Sequence, residues 1–151
     1  MALPFVLDLA GRGSERNWIY EGERIDKDFF ADAMQEYCYS FYSIGSKPAM
    51  AAFLSLSEKL ATIYPDNFDF TNNIGSYYML AKEDYKTAIK YYNKVLKKDA
   101  SNYTAIKNCV LASRKMGNVK SEKKYLVMLA EHGPESERVL AQNRLKQLNA
   151  K

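Results

Sequence analysis

The feature that most constrains this sequence is a turn signal that recurs at nearly equal intervals. Pro65, Ala100 and Pro134 occupy equivalent places in three turns rich in Asp, Asn, Gly and Pro, at separations of 35 and 34 residues. Apolar residues keep the same register before each turn, with Leu60, Val95 and Leu129 five residues upstream. Repetition at this length predicts units that stack on one another, because no single unit can bury its apolar face alone.

The segments between the turns have the periodicity of amphipathic helices. From about residue 26 onward, apolar residues recur at helical spacing and short turn signals interrupt them. Asp26, Ser101 and Asn118 are predicted N-caps, Pro48 suits a first helical turn, and Gly117 suits a left-handed exit. Seven helices are predicted, at about residues 26–43, 48–64, 68–81, 84–98, 101–116, 118–132 and 135–149. Loops this short require antiparallel neighbours.

One two-helix unit carries a recognisable skeleton. It reads Thr71-x2-Ile74-Gly75-x2-Tyr78, followed by Ala88-x3-Tyr92 and Ala100. This pattern resembles the tetratricopeptide repeat, whose skeleton is W-x2-L-G-x2-Y…A-x3-F…P. The resemblance implies an all-α, α-α superhelix of about three hairpins. Its expected units are about 31–64, 68–100 and 103–134, with a capping helix at 135–149, all within a repeat domain of residues 26–151.

Two of the pattern's positions depart from the family. Thr71 stands where the pattern prefers Trp, and Glu122 stands where it prefers Ala. The small residues Gly75 and Ala88 are expected where the two helices of the middle unit cross closely, since a larger side chain would hold the backbones apart.

The first 25 residues follow a different pattern. Residues 4–10 suit a short helix, and residues 18–25 alternate apolar and polar side chains around a Glu-Gly turn. This alternation predicts either a small hairpin or an extended arm. We interpret residues 1–25 as a connector that follows the remnant of a preceding repeat, which would make the chain the C-terminal part of a longer array.

The composition argues against chemistry within the chain. It has one histidine, His132, and two cysteines, Cys38 and Cys109, with no cluster at metal-ligand spacing. His132 is expected to lie near helix-end carbonyls, and both thiols are expected in the core. The sequence therefore predicts a non-enzyme without cofactors. No apolar run is long enough to span a membrane, and a cytoplasmic location is expected unless an upstream export signal precedes the chain.

By the family resemblance, partners bind a concave surface lined by the first helix of each pair. The resemblance implies a protein or peptide partner. The implied surface carries aromatic, apolar and amide groups at one end and cations at the other. That mixture suits an extended or helical peptide with an acidic flank. Two alternatives stay open: residues 3–25 fill this groove, or Tyr39 and Tyr42 belong to the core. The implied positions are Gln35, Tyr39, Tyr42, Asn72, Ser76, Met79, Leu80, Lys107, Leu111, Arg114 and Lys115.

The charge is unevenly distributed along the chain. Residues 1–81 carry 6 basic and 11 acidic side chains, whereas residues 82–124 carry 12 basic and 4 acidic ones. Lysines at 86, 90, 94 and 97/98 form an i, i+4 stripe. We interpret this stripe as the solvent-exposed outer face of its helix. The alternatives are a nucleic-acid or polyanion binder, or a regulatory piece of a larger protein that self-associates through its N-terminal segment.

Overall fold

The computed structural model describes residues 18–20, 23–25 and 27–151. Two short strands, β1 (Trp18–Tyr20) and β2 (Glu23–Ile25), pair antiparallel. The remaining elements of the described residues are helices. They are α1 (Lys27–Ile44), α2 (Lys47–Ile63), α3 (Phe68–Ala81), α4 (Tyr85–Lys98), α5 (Tyr103–Lys115), α6 (Val119–His132) and α7 (Glu135–Asn149).

The predicted all-α repeat architecture is confirmed for the described residues, in which consecutive helices pack against each other. The predicted helix bounds agree with the structure to within a few residues. Of the two alternatives for residues 18–25, the structure has the hairpin. The predicted short helix at 4–10 and the predicted cap at Asp26 lie outside the described residues. No helix in the described part of the chain combines the length and the apolar character that crossing a bilayer requires.

Local side-chain chemistry fixes where most helices begin. Asp84 Oδ1 accepts a hydrogen bond from the Thr87 backbone N–H at 3.1 Å, and Asn118 Oδ1 accepts one from Ser121 at 3.0 Å. Gly117 precedes Asn118 and has φ of +65°, a conformation that costs other residues about 1 kcal/mol or more. These caps satisfy backbone donors that the first helical turn leaves unpaired.

The cap predicted for α5 is wrong by one residue. Asn102, not Ser101, accepts the hydrogen bond from the Ala105 backbone N–H, at 3.1 Å. Ser101 instead donates from its backbone N and its hydroxyl to Asp99 Oδ1, at 3.2 and 2.9 Å. An aspartate two residues upstream therefore binds the serine in the turn, and the amide side chain that follows is left to cap the helix.

The chain divides into two compact units, one ending at Ile74 and the other beginning at Gly75. In the first unit, buried apolar side chains such as Phe53 and Phe70 surround a polar contact between α1 and α3. Gln35 and Asn73 form a reciprocal amide pair with distances of 3.0 and 2.7 Å. Asn73 also donates to Ser57 Oγ at 3.3 Å. This network joins α1, α2 and α3 through groups that would be costly to bury alone.

In the second unit, α3 and α4 pack closely at Gly75. A Cβ atom added to Gly75 would lie 2.6 Å from Tyr92 Cε1 and 2.8 Å from Cζ. Tyr92 is fully buried, and its hydroxyl shares a 3.1 Å hydrogen bond with Ser76 Oγ. Ala88, also fully buried, is the small residue that α4 contributes. The predicted close approach is confirmed at Gly75, and Ala88 is buried.

Helices two positions apart also contact each other in the second unit. Tyr125 on α6 donates its hydroxyl proton to Asn93 Oδ1 on α4 at 3.0 Å. Tyr103 on α5 donates to Glu137 Oε1 on α7, also at 3.0 Å. Each contact joins equivalent helices of successive hairpins, which is how stacked repeats bury apolar stripes that one hairpin leaves exposed.

Both cysteines are buried and free, as expected for core thiols. Burial raises the pKa of Cys38 to about 11 and that of Cys109 to about 12. Both therefore stay protonated at neutral pH, and their contribution is to packing.

Candidate partner-binding groove

Helices α5 and α7 form the walls of a groove of about 480 Å³ in the second unit. Three of the predicted partner-binding residues, Lys107, Leu111 and Arg114, line it together. They recur at intervals of three and four residues and therefore share one face of α5. The opposite wall comes from α7, the helix that the sequence predicted only as a cap.

The groove presents apolar surface on both walls above an apolar floor. Leu111 of α5 is 38% exposed and Leu140 of α7 is 62% exposed, although both are large and apolar. Beneath them lie Val110, Leu126 and Leu129, all buried. Exposed leucines from two helices therefore share one groove above a buried apolar floor.

An ion pair crosses one end of the groove. Lys107 Nζ lies 3.2 Å from Glu137 Oε1 and also donates to the Tyr103 hydroxyl at 3.2 Å. The hydrogen bonds from Tyr103 and Lys107 lower the pKa of Glu137 below its ordinary value. The lysine side chain is almost half exposed, so this pair contributes little to stability and its charges stay accessible to solvent.

A second charge cluster, centred on Glu122, lies at the other end. Arg114 Nε and Arg144 Nε each donate to Glu122 Oε1 at 2.9 Å, and Arg144 Nη2 reaches Oε2 at 3.4 Å. Glu122 is only 3% exposed. Burial opposes its ionisation, but the hydrogen bonds from Arg144 and Arg114 outweigh it and lower the pKa of Glu122. The cluster joins α5, α6 and α7.

The cluster on Glu122 was not predicted from the sequence. Its only signal was a departure from the repeat pattern, a carboxylate where a small apolar residue is preferred. Two arginines, eight residues upstream at Arg114 and 22 downstream at Arg144, compensate for that departure. Arg144 itself was not predicted, because α7 was interpreted as a cap.

The remaining predicted residue of α5 lies apart from this groove. Lys115 is exposed in the last turn of the helix, where a cation interacts favourably with the helix dipole, and it does not line the groove. Three further positions belong to α3. Ser76 is bonded to Tyr92, Met79 is half-buried, and Leu80 is exposed at the helix end.

The predicted positions in the first unit differ in accessibility. Tyr39 is exposed and meets Tyr42 edge to face, with ring centroids 5.8 Å apart. Tyr42 also packs on Phe53, with ring centroids 5.5 Å apart, which favours a partly structural role for Tyr42. Gln35 is held by Asn73. Asn72 requires a correction: it is 4% exposed, so its side chain faces the interior and offers no surface to a partner.

The sequence similarity covers the part of the chain that contains the groove. Residues 77–150, or 74 of the 151 residues, match the family model described as the TT21 fifth ARM repeats domain. The chain is a helical-repeat protein. The match begins in the last turns of α3 and extends through α7. It supports a helical repeat in general, and not the tetratricopeptide form in particular. Among curated proteins, no significant match was found.

Proposed function

We propose that this helical-repeat protein is a non-catalytic adaptor that binds a peptide segment of a partner protein in the α5–α7 groove. The observation that carries the proposal is the pair of exposed leucines, Leu111 and Leu140, on facing walls above a buried apolar floor. Apolar side chains of an extended or helical peptide would cover this surface, with a gain of roughly 25 cal/mol for each Å² removed from water.

The charges at the groove favour a peptide that also carries a carboxylate. Its lining residues include the cations Lys107, Arg114 and Arg144 and the acid Glu137, and with the buried Glu122 that binds both arginines, three positive charges face two negative ones. All three cations are at least one-third exposed, so a carboxylate of the partner could reach them. We therefore expect an acidic flank beside the apolar anchors of the bound segment.

The titratable groups of the groove support the non-catalytic part of the proposal. Lys107 is paired with Glu137, and Arg114 and Arg144 are paired with Glu122. These pairs stabilise the charged forms at neutral pH, whereas a general acid or base needs a pKa near the working pH. The groups that line this groove therefore suit recognition better than proton transfer.

We further propose that the hairpins are of tetratricopeptide type. The first helices of successive pairs, α3 and α5, begin at Phe68 and Tyr103, 35 residues apart. Two helices per unit and a period close to 34 residues support this form, since armadillo-type units span about 40–47 residues. The close crossing at Gly75 supports it as well.

Peptides selected from a random library against the wild-type chain provide the test of groove binding. Leu111→Asp/Leu140→Asp is expected to weaken the selected peptides by about tenfold or more, because it places charge on both apolar walls. Fluorescence polarisation with labelled peptides measures the change. Val119→Asp/Val127→Asp is the matched control, since it adds the same two charges at exposed apolar residues that do not line this groove.

Two results would count against the proposal. Selected peptides that bind the double variant as tightly as wild type would show that this groove is not the binding surface. Equal weakening by Val119→Asp/Val127→Asp would point to a general effect of added negative charge. Circular dichroism of all three proteins verifies that the helical content is unchanged.

A further inference from the structure

A second groove, of about 700 Å³, lies between α4 and α6 and shares no lining residue with the first. Lysines dominate its rim. Four come from the stripe on α4, and α6 adds a fifth that the sequence pattern alone did not associate with them. The five are Lys86, Lys90, Lys94, Lys97 and Lys124.

These lysines are not neutralised within the described part of the chain. None of the residues lining the groove is acidic, and none of the five ammonium groups forms an ion pair among the described residues. Asp84, which caps α4 through Thr87, interacts electrostatically with Lys86 at one end of the stripe, but the two do not form an ion pair. Like charges at i, i+4 oppose helix formation, so the stripe is maintained at some cost in stability.

The groove between the lysines is apolar. Ile89 and Leu96 of α4 and Met128 of α6 are half-buried along it. A surface that is both cationic at its rim and apolar along its floor matches an amphipathic segment, and a purely ionic polymer would leave the floor uncovered.

The aromatic residues near the groove are engaged in contacts within the protein. Tyr125 is buried and its hydroxyl is bonded to Asn93. Tyr91 stacks on Tyr78 with centroids 5.6 Å apart, and Lys94 Nζ lies 4.5 Å from the Tyr91 ring centroid. Single-stranded nucleic acids are bound largely by stacking bases on accessible aromatic faces, which this groove does not offer. The chemistry therefore favours a peptide over a nucleic acid.

We propose that the α4–α6 groove binds an acidic amphipathic helix from a protein partner. Glu and Asp side chains of that helix pair with the lysine rim, and its apolar stripe covers Ile89, Leu96 and Met128. From Lys86 to Lys97 the stripe is about 16 Å long, so a helix of about 11 residues or more matches it. The inference is independent of the α5–α7 groove.

The test uses the full chain and a labelled 15-residue peptide. The peptide has Leu at positions i, i+3 and i+4, which form one face of a helix, and Glu at the positions that flank this face. Fluorescence polarisation is expected to show saturable binding that weakens as salt rises. Lys90→Glu/Lys94→Glu is expected to weaken binding by about tenfold, since each change replaces an attraction with a repulsion. Lys59→Glu/Lys146→Glu alters the net charge equally, involves exposed lysines outside the groove, and is expected to leave binding within about twofold.

Two altered peptides separate the contributions of charge and apolar contact. Replacing Glu by Lys is expected to abolish binding, and replacing Leu by Ser is expected to weaken it by about tenfold. The proposal is overturned if the acidic peptide does not bind, or if it binds both double variants equally. It is also overturned if a 15-nucleotide single strand binds and the peptide does not. Sedimentation that shows a dimer dissociated by Lys90→Glu/Lys94→Glu would instead assign the groove to a second copy.

Discussion

Gly75→Val is expected to lower the free energy of unfolding of the second unit by about 3 kcal/mol, at the upper end for overpacked sites. The added Cβ would lie 2.6 Å from a ring carbon of Tyr92, a distance at which one of the two must move. Tyr92 is fully buried and bonded to Ser76, so its ring has little room to withdraw. The helix propensity gained by removing glycine, about 1 kcal/mol at most, is too small to offset the clash.

Urea unfolding followed by far-UV circular dichroism measures this loss. Gly117→Ala is the matched control. Gly117 has positive φ, but a Cβ there meets nothing within 4 Å, so the expected loss is only about 1 kcal/mol.

A double-mutant cycle isolates the contact between the two helices. Gly75→Ala is expected to cost less in a Tyr92→Leu background than in the wild type, because the shorter side chain leaves space for the added methyl group. Equal costs in the two backgrounds would mean that Gly75 is required for a reason other than its contact with Tyr92.

The second large effect is expected at the buried carboxylate. Arg114→Met/Arg144→Met would leave Glu122 charged and buried with neither arginine, which costs about 3–5 kcal/mol at neutral pH. Either single substitution leaves one arginine bonded to Glu122 and is expected to cost much less. Amide hydrogen exchange should locate the loss in α5, α6 and α7, the helices that the cluster joins.

Adding Glu122→Leu to the double variant provides the control for this interpretation. Removal of the orphaned charge is expected to restore most of the lost stability, since a buried ion cluster is commonly replaced by apolar residues at little cost. A triple variant as unstable as the double would contradict the charge argument, and would assign the effect to lost packing of the arginine stems.

The pH dependence follows from the direction of the pKa shift. In the wild type, the pKa of Glu122 is lowered on folding, so its contribution is present above the unfolded pKa of about 4.3 and is lost as pH falls below it. In the double arginine variant, burial alone would raise that pKa, which penalises folding at neutral pH. The stability gap between the two proteins is therefore expected to be widest near pH 7 and to narrow below about pH 4.

The helix bounds could be predicted from the sequence because their causes are local. Asp84 and Asn118 bond backbone groups three residues away, and Gly117 adopts a conformation that few other residues tolerate. Such signals act through the chain within one turn. The error at Ser101 and Asn102 arose where two adjacent polar residues compete for one cap, and Asp99 decides between them.

The grooves were less predictable because they depend on helices that are distant in sequence. The family resemblance implied Leu111 and Arg114, but the wall formed by Leu140 and Arg144 requires the position of α7. The position of Lys124 on the same groove as the α4 lysines likewise depends on how α6 packs on α4. Periodicity gives the face of each helix, whereas the angle and depth of packing decide which faces meet.

Interproton contacts between helices two positions apart test most directly whether the hairpins stack. Stacked hairpins predict nuclear Overhauser effects from the Tyr125 ring to the Asn93 side-chain amide, and from the Tyr103 ring to the Glu137 methylenes. In each pair the tyrosine hydroxyl donates a 3.0 Å hydrogen bond to the partner side chain. Effects between Tyr78 and Tyr91, within one hairpin, are the internal reference. If the Tyr78–Tyr91 effects are observed and those between hairpins are not, the hairpins do not stack. That result would also contradict both grooves, because each lies between helices of successive hairpins.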